Sequence, residues 1–148
     1  MTDHAKAQRL AERVGALIFQ RDASSHFLDI TLDAIGPGTA QLSMTVTDSM
    51  LNGVGICHGG FTYKLADDAF AYACNSYNRI AVGQHCTVSY PAPARLGDRL
   101  VATGREVFRQ GRSGVYDVVV ATTAGVTVAL FRGHCRFLDG HHLEDGAS

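Results

Sequence analysis

Apolar residues at the start of the chain recur at helical spacing. Leu10, Val14, Leu17 and Ile18 fall at i, i+4, i+7 and i+8, which predicts a helix over residues 3–19. The period then changes. Over residues 27–35, Phe27, Asp29, Thr31 and Asp33 alternate with Leu28, Ile30, Leu32 and Ala34, the signature of a strand. Gly36-Pro37-Gly38 turns the chain, and Ala40, Leu42, Met44 and Val46 mark one face of a second strand. A glycine-containing loop over 50–60 leads into the longest uninterrupted helical stretch, 61–77, rich in alanine and free of glycine and proline. From residue 80 onward the pattern is β throughout, with strands expected at 80–90, 99–108, 115–123 and 126–137. The runs 115–121 and 126–131 are almost wholly Val, Ala, Leu and aromatic, so they are expected to be central strands covered on both faces.

The order α-β-β-α-β-β-β-β predicts an α+β protein in which an antiparallel six-stranded sheet wraps around one long central helix. It divides into an N-terminal helix and lead-in over 1–25, a single domain over 26–138 and a polar tail over 139–148. A chain of 148 residues is long enough to bury one core. Its 13 basic and 14 acidic side chains give a net charge of −1 without a local basic run, which argues against a nucleic-acid partner. At 46% hydrophobic and 18% charged it is too apolar for disorder. No apolar run approaches the roughly 18 residues that span a bilayer. Asp3, Lys6, Arg9 and Glu12 leave no apolar stretch for a signal peptide. A soluble cytoplasmic protein is expected, with neither membrane nor nucleic acid as partner.

Cysteine and histidine add little chemistry. Cys57, Cys74, Cys86 and Cys135 form no C-x-x-C pair, and are expected to be small buried hydrophobes. Cys57-His58 and His134-Cys135 are adjacent pairs whose side chains point apart on an extended strand, so no metal site is expected. His141 and His142 read as solvated polar tail, beside Glu144 and Asp145.

The helix over 61–77 carries the candidate chemistry. Phe61, Leu65, Ala69 and Tyr72 form one apolar stripe, continued by Ala66 and Ala73. Lys64 and Asp68 read as an ordinary i, i+4 surface pair. Asp67 differs, because its angular neighbours are Tyr63, Ala71 and Cys74. A carboxylate on an apolar flank is costly unless it is paired, solvated or used. It is either a hydrogen-bonded boundary residue, an interface contact or a catalytic group, and periodicity does not choose. Ahead of the helix, His58-Gly59-Gly60 offers backbone N–H groups at a helix start, where they can polarise a carbonyl oxygen. From Gly59 to Asp67 is eight residues, about 12 Å along a helix. Both groups can act on one substrate only if two such helices lie antiparallel in a homodimer with shared sites.

The stretch MLNGVGICHGGFTYKLADDAFAYACNSYN over 50–78, with GVYD at 114–117 and TVALFRG at 127–133, resembles hot-dog-fold acyl-CoA thioesterases of the phenylacetate-degradation type. The resemblance extends from about residue 20 to 137. It implies the hot-dog fold and hydrolysis of phenylacetyl-CoA or a ring-modified aryl-acyl-CoA to free acid and coenzyme A. It makes Asp67 the carboxylate that attacks the thioester or activates a water. The N–H of Gly59, helped by that of Gly60, polarises the carbonyl, while Asn52 and His58 orient the thioester or the water. Coenzyme A, part of the substrate rather than a cofactor, would lie along 90–95 and 109–114, with Tyr90, Arg95, Arg109 and Arg112 as contacts. No cofactor is implied. The implied assembly is a dimer with shared sites, often a dimer of dimers and so a homotetramer. Where some relatives carry an assisting serine, this chain has Gly83, leaving Asp67 to act alone or with help from Gln84 or Thr87. Tyr63, Phe70, Tyr72 and Tyr77 are candidates for an aromatic acyl pocket.

Three other readings remain at this level. A hot-dog hydratase or dehydratase would use His58 as base, a non-catalytic acyl-CoA sensor would need no base, and a Cys57–His58 pair would act as nucleophile.

Overall fold

The computed structural model describes residues 1–144. The helix α1 (Asp3–Arg21) is capped by Thr2, whose hydroxyl accepts from the Ala5 N–H at 3.2 Å. A short helix, α2 (Ala23–Phe27), follows at once. Then come β1 (Thr31–Gly36), β2 (Thr39–Thr45), a 3-10 turn (Asp48–Met50) and α3 (Gly59–Asn75). The strands β3 (Arg79–Ser89), β4 (Arg99–Gln110), β5 (Ser113–Thr122) and β6 (Thr127–His141) complete the chain. Among the described residues the strands form one six-stranded sheet, ordered β1-β2-β4-β5-β6-β3, with every neighbouring pair antiparallel. The sheet curls around α3, which touches each strand. This is the hot-dog arrangement. Among the described residues, no helix is long and apolar enough to cross a membrane.

Small residues bring the helix down onto the sheet. Ala66, Ala69 and Ala73 are fully buried on its sheet-facing side. Opposite them, a Cβ at Gly104 would stand 3.1 Å from the Ala69 carbonyl oxygen, and one at Gly133 would stand 2.8 Å from the Phe70 ring. Leu42, Leu65 and Leu100 fill the remaining space at 0% exposure. Each contributes about 1.5–3 kcal/mol relative to an exposed side chain.

Several expectations are corrected. Residues 27–30 are not strand: Asp22 accepts from the Ser25 N–H at 3.2 Å and starts α2, and β1 begins only at Thr31. Asp29 turns the chain between them at φ 53°. β5 and β6 are central, but only their inner faces are covered within one chain. On the outer face Val119 and Leu130 are 43% and 48% exposed. β6 extends to His141, into the expected polar tail. His142 is half-buried, with its Nε2 at 2.6 Å from Asn75 Oδ1, rather than solvated. Residues 145–148 of that tail lie outside the described residues. All four cysteines are free, with Cys57, Cys74 and Cys135 buried and Cys86 half-buried.

Candidate active site

The N-terminus of α3 is built by its own loop. Asn52 Oδ1 accepts from the N–H groups of Val54 (3.1 Å) and Ile56 (3.2 Å), folding the glycine-rich segment into a tight turn. The His58 N–H then bonds Met50 O at 2.8 Å, and Leu51 bridges to Cys57. His58 is the N-cap of α3, and its Nδ1 accepts from the Gly60 N–H at 2.9 Å. The Gly60 donor is thus already occupied, a correction to its expected help at the carbonyl. The Gly59 N–H has no acceptor among the described residues. It remains available, with the helix macrodipole behind it.

Tyr90 packs beside this residue. Its hydroxyl donates to Gly59 O at 2.9 Å, and a Cβ at Gly59 would stand 3.1 Å from its ring. A groove of about 410 Å3 opens here, lined by Asn52, Gly59, Thr62, Tyr90 and the 91–94 segment. Asn52 and Tyr90 thus meet at Gly59, although Tyr90 was expected as a coenzyme A contact.

Asp67 lies two turns along the same helix and does not share that groove. It lines a separate one of about 370 Å3 with Tyr63, Phe70, Ala71, Gln84 and Cys86, between α3 and the β3 edge. Burial pushes its carboxyl above the usual range, with Lys64 opposing the rise. Tyr63 is pushed up to about 12, chiefly by its contact with Cys86 and then by burial. A half-buried carboxylate held back from water is suited to attack a carbonyl carbon or to take a proton from a water.

Asp68 is the main surprise on this helix. It is only 7% exposed, and Lys64 Nζ reaches its two oxygens at 2.7 and 2.6 Å. Ser25 Oγ stands 2.8 Å from Asp68 and 2.7 Å from Asp22, which also accepts from the Tyr72 hydroxyl at 2.9 Å. Burial raises the Asp68 carboxyl, with Lys64 and Ser25 opposing. The expected surface pair is a buried clamp, because α2 folds across that flank of α3.

Other expected residues are scattered. Gly83 lies in the Asp67 groove, but a Cβ there would stand 3.2 Å from Phe70, so the ring occupies the space an assisting side chain would need. Gln84 lines the groove, whereas Thr87 lies on the outer sheet face with Val119 and Leu130. Arg95 is exposed near the Gly59 groove. Arg109 and Arg112 sit in the β4–β5 hairpin at the far end of α3. Arg109 stacks 3.9 Å over Tyr77 and pairs with Glu106, and Arg112 pairs with Asp139 at 2.8 Å. Of the aromatics expected at an acyl pocket, Tyr63 and Phe70 line the Asp67 groove, whereas Tyr72 is a 1% exposed core residue and Tyr77 lies under Arg109.

Two alternatives lose their footing. Cys57 faces Thr62 Oγ1 at 3.8 Å, and burial raises its thiol above its ordinary value, so it makes no nucleophilic pair with His58. With Nδ1 capping the helix, the neutral His58 ring carries its proton on Nε2. Using it as a base would cost the cap.

A long helix in a curled antiparallel sheet, with a free helix-start N–H and a desolvated carboxylate, defines an enzyme of the hot-dog class. The chain belongs to the thioesterase superfamily, whose model matches residues 54–129, and is a thioester hydrolase. It is 42% identical over 123 residues to the acyl-coenzyme A thioesterase PaaI of Escherichia coli, covering 83% of this chain and 88% of that protein. The solved structure of the Escherichia coli PaaI protein, from the phenylacetic acid degradation operon, superimposes with a TM-score of 0.89 at 39% identity, covering 90% of this chain and 97% of that one. A Streptococcus mutans protein solved bound to acetyl CoA superimposes with a TM-score of 0.72 at 26% identity, covering 76% of this chain and 90% of that one.

Proposed function

We propose that this enzyme hydrolyses acyl-CoA thioesters, with phenylacetyl-CoA or a hydroxylated or ring-modified aryl-acyl-CoA as preferred substrate, in cytoplasmic phenylacetate catabolism. The observation that carries the reading is that α3 carries both a Gly59 N–H with no acceptor among the described residues and a desolvated Asp67 carboxylate. They are eight residues apart, about 12 Å along the helix, so neither reaches the other's substrate atoms within one chain.

A second copy resolves this. Among the described residues β3 ends the sheet with eleven residues and pairs only with β6, leaving an open edge beside the Asp67 groove. Antiparallel pairing of two β3 edges brings two α3 helices side by side and sets Asp67 of one copy against Gly59 of the other. The Gly59 N–H polarises the thioester carbonyl. Asp67 attacks its carbon, or takes the proton of a water that does, and coenzyme A leaves as the thiol. Water is consumed and the free acid completes the balance. Asn52 and His58 act through the loop, by fixing where the Gly59 N–H points.

Coenzyme A follows the groove of Tyr90 and Arg95. Arg109 and Arg112, at the far end of α3, reach it only from the second copy. The exposed outer faces with Val119 and Leu130 join two dimers into a tetramer. The names of the Escherichia coli relatives support the aryl substrate, and the acetyl CoA complex of the Streptococcus mutans protein supports coenzyme A binding on this fold. Steady-state kcat/KM over aryl and straight-chain acyl-CoA thioesters tests the reading. A preference for arylacetyl groups is expected, and a preference for long straight chains would overturn it.

A further inference from the structure

Phe27 is 86% exposed, the most exposed phenylalanine of the described residues, yet its backbone is not loose. It ends α2, and α2 is clamped from below. Asp22 holds the Ser25 N–H and hydroxyl and receives the Tyr72 hydroxyl, while Ser25 also meets the Lys64–Asp68 pair. A buried ionic cluster therefore fixes a five-residue helix whose last side chain is a ring left in water. With Leu28 and Phe61 beside it the ring forms a contiguous apolar patch, the kind of exposed surface that marks a binding site.

The ring walls a groove of about 500 Å3 with Leu28 and Phe61, rimmed by Ser24, His58 and Lys64. Gly60 and Phe61 also line it, so the groove lies against the first turn of α3, one residue on from Gly59. Gly60 and Lys64 are one helical turn apart, about 5–6 Å. The His58 and Phe61 rings meet edge to face at 6.3 Å, so the wall is already arranged for aromatic contact. The neutral His58 ring, with Nδ1 engaged by Gly60, also presents an Nε2–H donor to a ring hydroxyl.

We propose that this groove holds the aromatic ring of the acyl group, and that Phe27 sets the preference for aryl over ringless acyl chains. The proposal rests on the thioesterase reading above. Tyr72 and Tyr77 are committed to the core and to Arg109, and this groove draws its apolar wall instead from the lead-in and the first turn of α3.

The test compares Phe27→Ala and Phe27→Leu with the parent on phenylacetyl-CoA and acetyl-CoA, with assembly mass measured by light scattering. The ratio of kcat/KM for phenylacetyl-CoA to that for acetyl-CoA is expected to fall about fivefold to thirtyfold in Phe27→Ala. Phe27→Leu, which keeps apolar area without the ring, is expected to lie between. An unchanged ratio, or an equal loss on both substrates, would overturn the proposal. So would a fall in assembly mass, which would make Phe27 a subunit contact. A parent protein that cleaves neither substrate would instead refute the arylacetyl reading on which the proposal rests, while an active parent with an unaltered ratio in both variants would refute only the role of Phe27.

Discussion

Gly59 offers an unusually clean way to remove a single backbone donor. It is the first residue of α3, the position where proline is best tolerated in a helix, because the N–H there has no intrahelical partner. Proline also restricts the residue before it to extended backbone, and His58 already sits at φ −59°, ψ 130°. Gly59→Pro should therefore delete the N–H with the helix intact. Its side effect is a Cβ 3.1 Å from the Tyr90 ring, which Gly59→Ala adds while keeping the N–H. Tyr90 is 47% exposed and can shift. Loss of one such donor lowers kcat by about 10²–10³, or about 2.7–4 kcal/mol. The expected result is a kcat for Gly59→Pro at least about 100-fold below that of Gly59→Ala, with similar thermal midpoints. Turnover by the proline variant within about threefold of the alanine variant would refute the assignment of this N–H to the carbonyl, since a single preorganised donor carries far more than that.

Other predictions concern Asp67 and the helix supports. Asp67→Asn should lower kcat by about 10²–10⁴ while substrate still binds, and the parent's turnover should fall on its acid side as Asp67 is protonated, above the ordinary carboxylate range. Because burial raises its folded-state pKa, Asp67 binds a proton more tightly folded than unfolded, and stability drops as pH rises through that window. The Asn variant should melt higher than the parent at pH 8, and the gain should vanish below pH about 4 in a thermal series. Gly133→Ala places a Cβ 2.8 Å from three atoms of the Phe70 ring and should cost about 1–3 kcal/mol in urea unfolding. Ser25→Ala removes the hydroxyl between Asp22 and Asp68 and should cost a similar amount, about 1–3 kcal/mol, by the same measurement.

The long helix, both halves of the sheet and the separation of Gly59 from Asp67 were legible in the chain, because each rests on local periodicity. What escaped lies in contacts between distant segments. Asp68 read as surface because its covering residue, Ser25, is 43 positions away. α2 was passed over in the lead-in, with only its last residue read as strand, because five residues cannot display a helical period, although Asp22 is a good N-cap residue. Tyr90 was placed at the coenzyme, and its packing on Gly59 had no local sign. The occupied Gly60 N–H depends on the His58 rotamer, which spacing alone does not reveal. The open outer faces of β5 and β6 read as covered because Val119 and Leu130 are apolar whether or not one chain covers them.

Complementation between subunits bears most directly on the claim that each site takes its carbonyl donor from one copy and its carboxylate from another. Differently tagged Asp67→Asn and Gly59→Pro chains would be co-expressed, and the mixed dimer purified through both tags. Each homodimer lacks one essential group at both sites. The mixed dimer keeps one complete site, with Gly59 from the Asp67→Asn chain and Asp67 from the Gly59→Pro chain. Its predicted kcat per dimer is about half that of the parent enzyme, far above either homodimer. A mixed dimer no more active than the mean of the two homodimers would contradict the shared site.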